Sequence, residues 1–238
     1  MIAVVDYGRA NLGSVEKSFR RVGVPAIVTQ DSRAVDEADA VVLPGDGAFH
    51  DTMANLAELG LLDPVRRALD GRRPFLGICI GYQLLFSTSE EFGEGRGLDV
   101  IPGVVRRFPL GLDVPHMGWN RVWHGGSLRL FDGIEDGARF YFVHSYFPVV
   151  AGTVVAGTAS TGKNVGGLTQ EGGAPDARSS AGRSSVGDHG LAWCEYGVRF
   201  AAAIETGRIY ATQFHPEKSQ KAGIRLLENF AAIVKERR

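Results

Sequence analysis

The sequence predicts an α/β domain built on a mixed, mainly parallel sheet flanked by helices. Short β-branched apolar runs alternate with amphipathic stretches through the first 86 residues, the pattern of βαβ units. The second half turns to alternating segments such as 140–146, which predict an antiparallel part. A length of 238 residues suits one large domain spanning 1–238.

Each element has its own warrant. Ile2-Ala3-Val4-Val5 reads as a first buried strand that ends at Asp6-Tyr7-Gly8. Leu12, Val15, Phe19 and Val22 fall on one helical face, and Gly23 stops that helix. Residues 26–28 and 40–43 give two further strands, and the second runs into the loop Pro44-Gly45-Asp46-Gly47, followed by a helix. Asp63 as N-cap with Pro64 at the first helical position predicts another helix carrying Val65, Ala68 and Leu69. Phe75-Leu76-Gly77-Ile78 is the next strand and leads directly into Cys79. A hairpin is expected across 198–215, turning at Thr206-Gly207. A closing amphipathic helix then presents Leu227, Phe230 and Val234 to the core. Between them, 157–190 holds 9 Gly and 5 Ser in 34 residues and reads as a flexible surface insertion.

Composition excludes several function classes. With 26 Lys+Arg against 27 Asp+Glu and no basic run beyond Arg106-Arg107, the chain lacks the footprint of a nucleic-acid binder. Cys79 and Cys194 are too far apart in sequence to form a metal-ligand pair or a disulfide framework, so a reducing cytoplasm is expected. No targeting segment opens the sequence, and no run of ~18 apolar residues predicts a membrane span. Cys194 reads as an incidental buried thiol.

The sharpest chemical signal is Gly77-Ile78-Cys79-Ile80-Gly81, where an apolar strand meets a helix at a Gly-x-Cys-x-Gly turn. Such an elbow holds a nucleophile clear of the sheet, and the helix behind it offers N–H groups and a dipole that favour thiolate. A thiolate needs a base, and the base needs an orienting acceptor. His215-Pro216-Glu217 supplies both, with an i, i+2 spacing that lets an extended segment direct both side chains to one side. An oxyanion needs backbone donors: the N–H of Ile80 is one candidate, and the Asp46-Gly47 loop supplies the other. These residues describe a cysteine-dependent acyl transferase or amidohydrolase.

At these residues the sequence resembles the class I (triad) glutamine amidotransferases, a family with a flavodoxin-like fold. Residues 77–86, Gly-Ile-Cys-Ile-Gly-Tyr-Gln-Leu-Leu-Phe, are similar to the family's nucleophile motif, and 213–219, Gln-Phe-His-Pro-Glu-Lys-Ser, to its His/Glu motif. Within that class the resemblance is strongest to the glutaminase subunits of imidazole glycerol phosphate synthases. It is carried further by Val4–Gly8 with Asn11-Leu12, Leu43–Gly47, Pro115–Asn120 and Tyr141–Tyr146.

The resemblance implies hydrolysis of L-glutamine through a thioester on Cys79, with His215 as base and acid and Glu217 orienting it. It implies no metal or cofactor. It also implies a (βα)8 cyclase partner, in a heterodimer, that receives the ammonia for histidine biosynthesis. Gly45, Gln83, Glu91, His144, Ser145 and Tyr146 match the glutamine pocket. Asn11, Met117, Trp119, Asn120 and Lys218 match the partner face or ammonia path, with Pro115–Asn120 expected as a loop. Without the resemblance, Trp119 is an ordinary core tryptophan and Lys218 a solvated charge. Asp46, Tyr82 and the 157–190 insertion depart from the family pattern. Two other readings share these residues: a related glutaminase serving a different barrel synthase, such as one aminating a surface polysaccharide sugar, and a non-enzymatic thiol sensor.

Overall fold

The computed structural model describes residues 1–9, 11–153 and 189–236. The expected insertion at 157–190 therefore lies, but for its last two residues, outside the described residues.

Strands whose every residue is apolar must be covered on both faces, and the first half of the chain builds around such strands. In order it forms β1 (Ile2–Val5), α1 (Leu12–Arg21), β2 (Ala26–Thr29), α2 (Ser32–Glu37), β3 (Ala40–Leu43), α3 (Phe49–Glu58), α4 (Leu62–Ala68), β4 (Phe75–Ile78) and α5 (Ile80–Gln83). A second group of strands follows: β5 (Phe86–Ser89), β6 (Gly95–Arg96) and β7 (Ile101–Arg107). Then come β8 (His116–Arg121), β9 (Arg139–His144), β10 (Tyr146–Val150), β11 (Gly190–Tyr196), β12 (Val198–Thr206), β13 (Ile209–Thr212) and α6 (Gln220–Lys235).

Among the described residues the main sheet has seven strands in the order β11-β12-β13-β4-β3-β1-β2. The five from β13 to β2 run parallel, while β11 and β12 add the antiparallel part. Alternate residues of β1 serve opposite cores. Ile2 and Val4 pack in the cluster that holds Val15 and Phe19 of α1 and Leu227, Phe230 and Val234 of α6. Ala3 and Val5 pack in the cluster of Val35, Leu56 and Val65 from α2, α3 and α4. A second sheet, β10-β7-β5-β6, and the β8-β9 ribbon complete the fold.

Two local expectations are corrected. α4 begins at Leu62 with Leu61 in the cap position, so Asp63 and Pro64 lie inside its first turn. Leu61 is buried, and its carbonyl accepts from the N–H of Val65, which draws the helix start two residues earlier. Proline is tolerated there because its missing N–H would have no partner within the helix. Residues 116–120 are not a loop but most of β8, paired with β9 from His116↔His144 to Arg121↔Arg139. That pairing also leaves Trp119 outside the core, at 42% exposure.

Register decides where the chemistry lands. Leu43 of β3 lies beside Gly77 of β4, and Ile78 beside Thr212 of β13. The three strands therefore end level, and their following residues meet at the carboxyl edge of the parallel sheet, where such folds place ligands.

Candidate active site

The elbow stands at the end of β4. Cys79 has φ 54° and ψ −105°, a positive φ that costs a non-glycine residue of order 1–3 kcal/mol and persists only under constraint. The constraint is packing at the flanking glycines. A Cβ on Gly81 would fall 1.9 Å from the Leu43 carbonyl oxygen, and one on Gly77 would fall 2.7 Å from that of Gly81. The Cys79 N–H donates to the Thr212 carbonyl at 2.7 Å, tying the elbow to β13. The helix behind it, α5, is a single turn of 4 residues. The dipole expected from the sequence is therefore small, since few peptide dipoles are summed.

β13 delivers His215 to the same edge. The His215 N–H donates to the Tyr141 carbonyl at 2.9 Å, and the Ser219 hydroxyl donates to the His215 carbonyl at 2.6 Å while accepting from the Tyr141 N–H. Pro216–Lys218 forms a 3-10 turn, not the extended segment expected, and this turn brings Oε1 of Glu217 to 2.8 Å from Nδ1 of His215. A carboxylate only accepts, so Nδ1 donates and Nε2 is left to exchange protons. Both side chains are 3% exposed. Nε2 of His215 and Oε2 of Glu217 are buried and have no hydrogen-bond partner among the described residues. Burial alone pushes the His215 imidazole down, but Cys79 and then Glu217 outweigh it and lift it to about 10.

The loop after β3 closes the third side. Gly45 is pressed against its neighbours: a Cβ there would lie 1.8 Å from Cγ2 of Ile80. Tyr7 donates its phenol to the Asp46 carbonyl at 3.3 Å. Burial first, then the Cys79 and Asp46 charges, push that phenol up, so it stays protonated as a donor. Oδ1 of Asp46, on a half-exposed side chain, stands 3.9 Å from Nε2 of His215.

A cavity of about 460 Å³ opens in front of these groups. Asp46, Gly47, Cys79, Ile80, Gln83, Glu91, His144, Ser145, Tyr146 and Lys218 line it, together with Pro115 and Val143. Gly45 lies behind this surface against Ile80. Glu91 accepts the Phe49 N–H at 2.7 Å through Oε2; burial pushes its carboxyl up and that N–H opposes the rise. Met117 and Trp119 are exposed along β8, and Asn120 turns its amide to His116 and the Glu195 carbonyl. Asn11 is exposed at the start of α1. None of these four lines the cavity.

Sequence reasoning singled out neither His116 nor Gln213, although both stand inside quoted motifs. Nδ1 of His144 lies 2.8 Å from the Tyr146 carbonyl, so it carries the proton. Nε2 of His144 then accepts from Nδ1 of His116 at 3.0 Å, and Nε2 of His116 accepts from Asn120 at 3.3 Å. Burial holds His116 down at about 4 and His144 at about 3, so both imidazoles are neutral. Gln213 reaches Sγ of Cys79. Among the described residues no cluster of three or more His, Cys, Asp or Glu side chains is placed to hold a metal.

This arrangement suits covalent acyl chemistry: a strained thiol, a base with a fixed tautomer and a cavity with polar walls. Comparison with known proteins agrees. Residues 3–173 match the family described as glutamine amidotransferase class-I. The imidazole glycerol phosphate synthase subunit HisH of Geobacter sulfurreducens is 45% identical, covering 98% of each chain. The HisH subunit of Methanothermobacter thermautotrophicus is 41% identical, covering 99% of this chain and all of its own. Among solved structures, a glutamine amidotransferase superposes with a TM-score of 0.64 at 17% identity over 98% of each chain. A glutamine amidotransferase from Thermotoga maritima gives 0.53 at 15% identity, covering 99% of this chain and 84% of its own. Matched over nearly its whole length by such relatives, the chain belongs to the class-I glutamine amidotransferases, among the HisH subunits of imidazole glycerol phosphate synthase.

Proposed function

We propose that this glutaminase subunit works through Cys79, His215 and Glu217, and passes ammonia to a (βα)8 cyclase subunit. The Cys79 thiol gives its proton to Nε2 of His215, Sγ attacks the side-chain carbonyl carbon of glutamine, and the carbonyl electron pair moves onto oxygen. The N–H groups of Ile80 and of the Asp46-Gly47 loop are the donors for that charge. His215 then gives its Nε2 proton to the departing nitrogen, the C–N bond breaks, and ammonia leaves a thioester on Cys79. Water attacks the thioester as His215 takes its proton; the C–S bond breaks, and glutamate is released. Glu217 holds the imidazole in the tautomer that this exchange requires.

The polar wall fits the rest of the substrate. Glu91 keeps one carboxylate oxygen beyond its bond to Phe49 and can receive the α-ammonium, and Gln83 and residues 144–146 flank it. Lys218 and Pro115 mark the side of the cavity toward β8, whose exposed Met117 and Trp119 make the face that we assign to the cyclase. Identities of 41–45% to HisH subunits favour this acceptor over a polysaccharide synthase or a thiol sensor.

The observation that carries the reading is the paired geometry of a strained Cys79 and a His215 fixed 2.8 Å from Glu217. A glutamine-like electrophile tests it: labelling should saturate, fall on the Cys79 peptide and be prevented by glutamine. Labelling that glutamine leaves untouched would count against it.

A further inference from the structure

Gln213 is fully buried beside the reacting sulfur, and the mechanism above gives it no part. Its orientation is dictated by a chain of partners. The Tyr146 carbonyl can only accept, so Gln83 turns Nε2 toward it at 2.9 Å. The same Nε2 stands 3.0 Å from the Gln213 amide, which must answer with its oxygen. Nε2 of Gln213 is thereby left 3.6 Å from Sγ of Cys79. His144 holds the same Tyr146 carbonyl at 2.8 Å, and a flipped Gln213 amide would set its Nε2 against Nε2 of Gln83.

We propose that Gln213 is a further catalytic residue, whose Nε2–H donates to Sγ of Cys79 and favours the thiolate over the thiol. A charged sulfur accepts more strongly than a neutral one, so the bond is worth most when the nucleophile is ready. It serves the second half of the cycle too. When water expels the sulfur from the thioester, the C–S electron pair returns to Sγ, where the amide already points. The cost is a less reactive thiolate, but nucleophilicity falls more slowly than thiolate fraction rises. The same chain makes the sulfur sensitive to the pocket wall, because any shift of the Tyr146 carbonyl reaches Gln213 through Gln83.

This inference rests on Cys79 being the nucleophile, and its test is independent of turnover. Full-length protein is alkylated with iodoacetamide across a range of pH, and modification is read at the Cys79 peptide. Gln213→Leu should slow alkylation near neutrality by about tenfold and move the profile to higher pH, as expected for losing one charge-assisted hydrogen bond. A folded Gln213→Leu protein with the wild-type profile overturns the proposal. If that variant does not fold, Gln83→Met carries the test, since it removes the group that aims the amide; an unchanged profile there overturns it equally. Labelling by the glutamine-like electrophile separates the two readings. Glutamine-protected wild-type Cys79 with an unmoved Gln213→Leu profile defeats this inference alone, whereas unprotected wild-type Cys79 defeats the functional reading.

Discussion

His116 and His144 meet edge to face between β8, β9 and the cavity, each donating one hydrogen bond and accepting another. Neutrality is a condition of that pattern, because a protonated ring could not accept. Burial keeps the two at about 4 and about 3, against an ordinary 6.5. As pH falls below 6.5 the unfolded chain takes up protons that the folded chain refuses, so stability is present above that value and is lost progressively as pH falls toward about 4 for His116 and about 3 for His144. Urea midpoints should therefore fall across that window, and His116→Gln, with one buried imidazole fewer, should fall less steeply. Equal slopes would contradict the assignment. At this scale the sequence was legible where chemistry needs a motif: Cys79, His215 and Glu217 stand in short, distinctive patterns. It was silent on Gln213 and His116, because their partners, Gln83, Tyr146 and His144, lie far along the chain and only folding brings them near. The exposure of Trp119 could be expected only through the resemblance, because size and apolarity say nothing about which strand carries a residue to the surface.

The element that decides the site is the strand-turn-helix of β4 and α5. Its two glycines are required by contact with backbone atoms, and backbone cannot move aside as the end of a side chain can. Gly81→Ala would drive a methyl into the Leu43 carbonyl, so β3 and β4 must part or the elbow must unwind. The expected outcome is loss of Cys79 labelling and an unfolding free energy lowered by about 1–3 kcal/mol, the range of core overpacking. Unchanged labelling in Gly81→Ala would show that the elbow tolerates a Cβ. Elements of this kind were readable because β-branched runs buried on both sides leave a continuous apolar signature, as in 2–5 and 40–43. Helix ends were less so: at α4 the buried Leu61, not the polar Asp63, occupies the cap position. Likewise, the turn joining His215 to Glu217 closes as a 3-10 helix, which the i, i+2 spacing alone does not distinguish from an extended segment.

Across the whole molecule, function depends on three strands ending level. β3, β4 and β13 are neighbours in the sheet, yet their ends lie far apart in sequence, at Leu43, Ile78 and Thr212. Parallel pairing puts the loop after β3, Cys79 and the segment leading to His215 along one edge, and helices pack on both faces of the sheet behind it. Alternating strands and helices made the parallel sheet legible, but its strand order leaves no local trace in the sequence. Exposed Met117 and Trp119 lie on β8, whose His116 touches the His144 wall of the cavity. A cyclase seated there would contact the strand whose His116 bonds His144 in the cavity wall, so binding and hydrolysis should be coupled. No helix among the described residues is long and apolar enough to cross a membrane.

Whether Cys79 serves a cyclase-coupled glutaminase is decided by glutamate release from glutamine, by the protein alone and then with the cyclase subunit and its nucleotide ligand. Release should be weak alone, rise strongly with the pair, and fall to background in Cys79→Ala. Full glutaminase activity of Cys79→Ala within the complex would contradict that role.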